Sequence, residues 1–312
     1  MKLVTLGQLT PKIDDFSFVE LTDPKTKDAL VICNPYDALG FAPAYLRSTR
    51  SLEEHINYVQ KNNIKKAMVV AENISFLRQC PSLEYLYIIP AFTAKEFDYS
   101  PLYDMPQIQW LQCDMLYGMD LEYCTHIDYS KIQGLESLFV CGSKGHENVK
   151  NVKGIKTLFL SEGQPAASNL EDAFEGSKLE KLSICQSPIR TLDGLEKAKK
   201  LRRLSLAHNR RLESISALTN VKDTLVSLDI ESCGKIKDFS VLSELHNLEN
   251  LRLIGTNVLP DLNFVQSMPN LNSIIFTMKV ANGDISVCKG IEYVAFQERR
   301  HYSHKKSDFS KK

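Results

Sequence analysis

Between Ile64 and Phe296 apolar residues recur at the first, fourth and sixth places of a hexad, L-x-x-L-x-[L/I] in its clearest form. The clearest copies are LEKLSI from Leu179, LRRLSL from Leu201, LVSLDI from Leu225 and LENLRL from Leu248, spaced 22, 24 and 23 residues apart. Weaker copies open at Ile64, Leu83, Ile108, Leu135 and Ile155 before them, and at Leu271 and Ile291 after them. Alternation of apolar and polar places over the end of each hexad predicts a short strand. A unit of 19 to 27 residues cannot bury its own apolar face, whereas stacked units share one continuous core. The expected fold is therefore α/β, a solenoid whose eleven short strands run parallel and line a concave face.

The ninth residue of several units is small and able to bond exposed backbone where the chain leaves the strand: Ser143, Ser187, Asn209, Cys233 and Thr256. With these hexads and turns, Leu179 to Pro269 resembles the leucine-rich repeat family, nearest to the short 22-residue class of internalin-like proteins and of a phosphatase regulatory subunit. Ile189-x-x-Leu192-x-x-Leu195 matches the second half of that class's unit. The resemblance implies a curved solenoid that binds proteins, without identifying the partner. The 25- and 27-residue steps on either side of Ile108 depart from the class, and the frame through LEYCTHIDYSKIQ is irregular.

A solenoid needs its terminal core covered, and residues 1–63 are expected to supply an α+β cap. FSFVELTDPKTKDALVIC predicts two strands around a DPKTKD turn, NPYDALGFAP a loop, and Ser51-Leu-Glu-Glu54 a capping box opening a helix with Leu52, Ile56 and Val59 on one face. Repeats then occupy 64–298, and 299–312 is expected to be a solvated basic tail. His301-x-x-His304 lies in that tail without Cys or carboxylate at ligand spacing.

Composition changes this picture in one respect. Lys+Arg and Asp+Glu both number 38, so the formal net charge is zero. Arg299 to Lys312 carries six Lys/Arg and one Asp, which leaves a mildly acidic solenoid ahead of a basic end. Such a balance disfavours nucleic acid as a partner, since attraction to phosphate needs a basic excess. No segment is apolar for long enough to span a membrane or serve as a secretory signal, and the eight Cys are scattered without a C-x-x-C pair. A cytoplasmic protein with reduced thiols is expected.

Strand alternation sends the third, fifth and seventh places of each hexad to the concave face. There the early strands place Tyr85, Tyr87, Ile89, Trp110, Phe139 and Phe159, with Asp114 nearby, and the later ones Lys181, Arg203, Asp229, Glu231 and Arg252. An exposed aromatic patch of that size exceeds what a monomer normally leaves open. It is expected either to anchor a protein partner, with the charged half setting specificity, or to be covered by the amino-terminal residues or a second copy in a homodimer. Phosphate-loop, dinucleotide, nucleophile-elbow and zinc-helix motifs are all missing, and no cofactor or metal is expected. The reading is a non-catalytic protein-interaction module, an inhibitor, regulator or immunity-type protein. An exported adhesion or effector protein of internalin type, and an enzyme with its site in the amino-terminal segment, stand as alternatives.

Overall fold

The computed structural model describes residues 16–20, 28–34, 50–91, 94, 97–114, 126–142 and 145–309, apart from the side chains of Asn34 and Asp114. The DPKTKD turn up to Lys27, most of the NPYDALGFAP loop, Cys124 and the ninth-place Ser143 lie outside them. The chain divides into two compact units, residues 1–153 and 154–312.

In the first unit, β1 (Phe18–Val19) pairs antiparallel with β2 (Ala29–Asn34). Next comes α1 (Leu52–Asn62), opened by the expected box: Ser51 accepts from the Glu54 N–H and the Glu54 carboxylate from the Ser51 N–H. The hexads follow as β3 (Lys66–Ala71), β4 (Tyr85–Pro90), β5 (Trp110–Asp114) and β6 (Ser137–Cys141). β2 pairs in parallel with β3, and each hexad strand with the next, so β2 extends the ladder of repeats by one strand.

The second unit holds the other seven hexads as β7 (Thr157–Ser161), β8 (Lys181–Cys185), β9 (Arg203–Ala207), β10 (Ser227–Glu231), β11 (Asn250–Ile254), β12 (Ser273–Phe276) and β13 (Tyr293–Phe296). They are parallel and paired place for place, as Lys181↔Arg203↔Ser227↔Asn250↔Ser273↔Tyr293 illustrates.

Between strands the chain returns through short 3-10 turns, and a local code sets where many of them begin. Asp98-Tyr-Ser100, Asp128-Tyr-Ser130, Asp238-Phe-Ser240, Asp261-Leu-Asn263 and Asp284-Ile-Ser286 each place a carboxylate 2.8 to 3.1 Å from the N–H two residues on. The residue between them is buried in every case, so one tripeptide anchors the turn in the core and satisfies its first donor. Hydrogen bonds from Ser100, Ser240 and Ser286 hold the carboxyls of Asp98, Asp238 and Asp284 below the usual Asp range.

Turns leaving the strands in the second unit are held by a buried column of side chains. Asn209 accepts from the Ser187 N–H and donates to the Ile184 carbonyl, both at 2.9 Å. One unit on, the Cys233 thiol donates to the Leu206 carbonyl at 3.6 Å. In the next unit the role passes to Asn257, which donates to the Cys233 and Ile236 carbonyls, and not to the expected Thr256, because Gly255 adds a residue to that turn at φ 156°. Asn209→Ala strands a buried N–H and a buried C=O together, so we expect a loss of at least about 1–3 kcal/mol, measured by urea denaturation; an unchanged midpoint would remove the column from the account of stability.

The basic end of the second unit is solvated, every residue from 299 to 309 being exposed or half-buried, but it does not run free of the repeats. Residues 297–309 fold back on the last strands: Tyr302 Oη accepts from the Val280 N–H at 3.0 Å, and His301 Nε2 lies 2.9 Å from the Val280 carbonyl oxygen. Ser303 donates from its N–H to the Gly283 carbonyl oxygen and accepts from the Ile285 N–H. The Phe296 ring meets Phe276, Tyr302 and Phe309. Water exclusion at the last repeat explains the docking, since Phe276 and Phe296 would otherwise face solvent.

Candidate functional site

The faces of the two units differ because their strands are patterned differently. β2, β3 and β4 read ALVICN, KAMVVA and YLYIIP, apolar on both sides, the pattern of strands covered on both faces. Of the two outcomes expected for the aromatic face, open or covered, the structure shows a largely covered one. Val31, Cys33, Met68, Val70, Tyr87, Ile89 and Trp110 belong to a second core, on the sheet face opposite Leu30, Val69, Leu86 and Leu111. Trp110 is 1% exposed and Tyr87 6%. Phe139 and Tyr85 pack at its margin, the Phe139 ring 5.0 Å from that of Trp110. The side chain of Asp114 lies outside the described residues. Phe159, in the second unit, is buried as well. Burial has removed Tyr87, Trp110 and Phe159 from water and half-covers Tyr85 and Phe139, so a partner or a second copy meets no open aromatic patch at these residues.

In the second unit the strands alternate buried and accessible places, so one face stays open. Its centre is a charge cluster assembled from adjacent strands. Arg252 Nη1 donates to both Asp229 carboxylate oxygens, at 2.9 and 3.0 Å, and to Glu231 Oε2 at 2.7 Å. Repeat register brings these residues together: Asp229 stands opposite Arg252 across β10 and β11, and Glu231 lies two places along, on the same face. Burial raises the Asp229 carboxyl above the usual Asp range, outweighing the pull of Arg252. Glu231 is lowered, chiefly by its hydrogen bond from Arg252. His208 Nε2 stands 3.9 Å from Glu231 Oε1.

Beside this cluster, in which two carboxylates face one guanidinium, Lys181 and Arg203 are opposite each other in register and exposed. Neither forms an ion pair among the described residues. Between them and the cluster lie the small side chains of Ser183, Ser205 and Ala207, and towards β13 the face turns apolar with Ile254, Ile275, Ala295 and Tyr293, the last 55% exposed. The predicted residues Arg203, Asp229, Glu231 and Arg252 thus share one open face. Sequence reasoning passed over the basic turns just beyond it, Asn209-Arg-Arg211 and Gly234-Lys-Ile-Lys237, although their repetition one unit apart is visible in the chain.

Among the described residues no group of three His, Cys, Asp or Glu is placed to hold a metal ion, and no helix is long and apolar enough to cross a membrane. Burial pushes the thiols of Cys80 and Cys233 up to about 11 and that of Cys288 up to about 12, which leaves them poor nucleophiles.

No family model matches the chain. Among solved structures it is similar to an internalin, InlF, of Listeria monocytogenes, with 16% identity over 87% of this chain and 89% of that one at a TM-score of 0.44. Its similarity to the functional domain of InlJ of the same organism is 16% identity over 73% of this chain and 52% of that one, at a TM-score of 0.49. A leucine-rich repeat protein of Leptospira interrogans matches with 12% identity over 80% and 81% of the two chains, at a TM-score of 0.35. With its hexads folded as parallel strands in register, its strand exits tied by a buried Asn/Cys column and its returns made by 3-10 turns, the repeats have a leucine-rich repeat fold.

Proposed function

We propose that this chain is a non-catalytic protein-interaction module, a regulator or inhibitor of the cytoplasm, whose partner docks on the open face of the second unit. The observation that carries this reading is the contrast between Arg252, already neutralised by Asp229 and Glu231, and Lys181 with Arg203, two exposed cations side by side that no described carboxylate answers. Such a pair attracts an acidic surface and orients it, while the small and apolar places beside it admit close contact. Cys80, Cys185, Cys233 and Cys288 are free thiols, in keeping with a reducing compartment.

The test is partner capture from the native cell by the wild type and by a Lys181→Glu/Arg203→Glu variant, with Lys199→Glu/Lys289→Glu, at two exposed positions outside the strands, as a charge-matched control. Capture is expected to weaken about tenfold or more in the double variant, equivalent to at least ~1.4 kcal/mol, and to decline with salt in the wild type. Equal loss in the control, or none in the double variant, would rule out this face.

A further inference from the structure

Just beyond the open face, the turns that leave β9, β10 and β11 border an open cleft of about 290 Å³ lined by Arg210, Ser232, Gly234, Lys235, Gly255 and Thr256. Its chemistry is one-sided. Two cations, two hydroxyls and two glycines line it, and no carboxylate does. Arg210 makes no ion pair among the described residues. Lys235 Nζ has only a 3.9 Å approach to Glu213 Oε1, an exposed carboxylate that Arg190 already holds at 2.9 Å. The backbone N–H groups of Gly234, Lys235 and Thr256 donate to no described acceptor.

The two glycines have different causes. Gly255 adopts φ 156°, where a side chain is strained, and an added Cβ would stand 3.2 Å from Asn257 Oδ1. Gly234 has no such requirement. Its φ is not positive, and an added Cβ would meet only Thr256 Oγ1, at 4.0 Å. What glycine does at 234 is keep the cleft open and its backbone N–H reachable.

A small opening lined by a guanidinium, an ammonium, hydroxyls and backbone N–H groups without a described acceptor has the donor set of a receptor for a tetrahedral oxyanion. The geometry points to a phosphate-binding site in this cleft, with Arg210 and Lys235 supplying charge, Ser232 and Thr256 supplying hydroxyl donors, and Gly234 supplying access. This site does not depend on the partner-docking role of Lys181 and Arg203: those residues do not line it, and either assignment can fail alone.

The site is tested by following backbone amide resonances while titrating inorganic phosphate, with chloride at matched ionic strength as reference. A phosphoserine peptide and its unphosphorylated counterpart form a second pair of arms. The expected result is a saturable shift confined to Gly234, Lys235, Gly255 and Thr256, with a dissociation constant on the order of 1 mM. It should weaken at least about tenfold in Arg210→Gln/Lys235→Gln and vanish in Gly234→Asp, which puts a carboxylate into the cleft without a packing clash and so leaves the melting temperature near that of the wild type. Saturation by free phosphate and by the phosphopeptide, or by either alone, supports the site and distinguishes a free from an esterified oxyanion. Shifts no larger than those with chloride, or shifts that persist in both variants, overturn it.

Discussion

Truncating Trp110 to alanine is expected to destabilise the first unit by about 3–5 kcal/mol, the cost of removing a large aromatic from a packed interior. For a chain of this length that corresponds to a fall in melting temperature of roughly 2–4 °C per kcal/mol, or about 10 °C. The ring is 1% exposed, lies against Phe139 at 5.0 Å and shares its core with Met68, Val70, Tyr87 and Ile89. Trp110→Phe should cost much less. Trp110 Nε1 is buried without a hydrogen-bond partner, so the smaller ring removes an unanswered donor together with part of the packing. Because Trp110 is the only tryptophan, the transition is best followed by far-ultraviolet circular dichroism. A Trp110→Ala protein that melts like the wild type yet loses its partner would restore the exposed-patch reading and overturn the two-faced core.

Removing residues 301–312 should destabilise the second unit by about 3 kcal/mol or more, on the basis that docking an aromatic side chain is worth roughly 1.5–3 kcal/mol when its burial is complete. Tyr302 and Phe309 both leave the Phe296 ring, and the Val280 and Ile285 N–H groups lose their acceptors. Tyr302→Ala should reproduce a large part of the effect, since Tyr302 supplies both the ring contact and the acceptor for Val280. Denaturant titration of the truncated and full chains measures the difference. Coincident curves would show that this segment lies on the last repeat without supporting it, as a solvated tail would.

These two experiments fall where reading along the chain and the folded structure diverge most. Leu179, Leu201, Leu225 and Leu248 announce their strands because the repeat is a local pattern, and a strand's two faces follow from alternation alone. The charged residues Asp229, Glu231 and Arg252 were legible for the same reason: once the register is known, residues some 20 apart become neighbours, and their contact needs no further information. The helix from Leu52 was marked by its capping box, and the D-x-[S/N] turns stand in the sequence as clearly as the hexads. The Asn257 place was missed because a single extra residue, Gly255, shifts the count within one turn.

By itself, then, the sequence determined the repeats, their parallel register and which side chains line the strand face. Only the tertiary structure decided which part of that face meets water. The cue existed, in strands such as KAMVVA and YLYIIP that are apolar on both sides, but a both-sided apolar strand demands cover without saying where the cover comes from. Likewise a tail rich in Lys and Arg says nothing of the Tyr302 and Phe309 rings that dock it. Periodicity is written over a few residues at a time, whereas burial is a property of whatever the whole chain brings alongside, and it moved the accessible surface from the aromatic strands of the first unit to the polar face of the second.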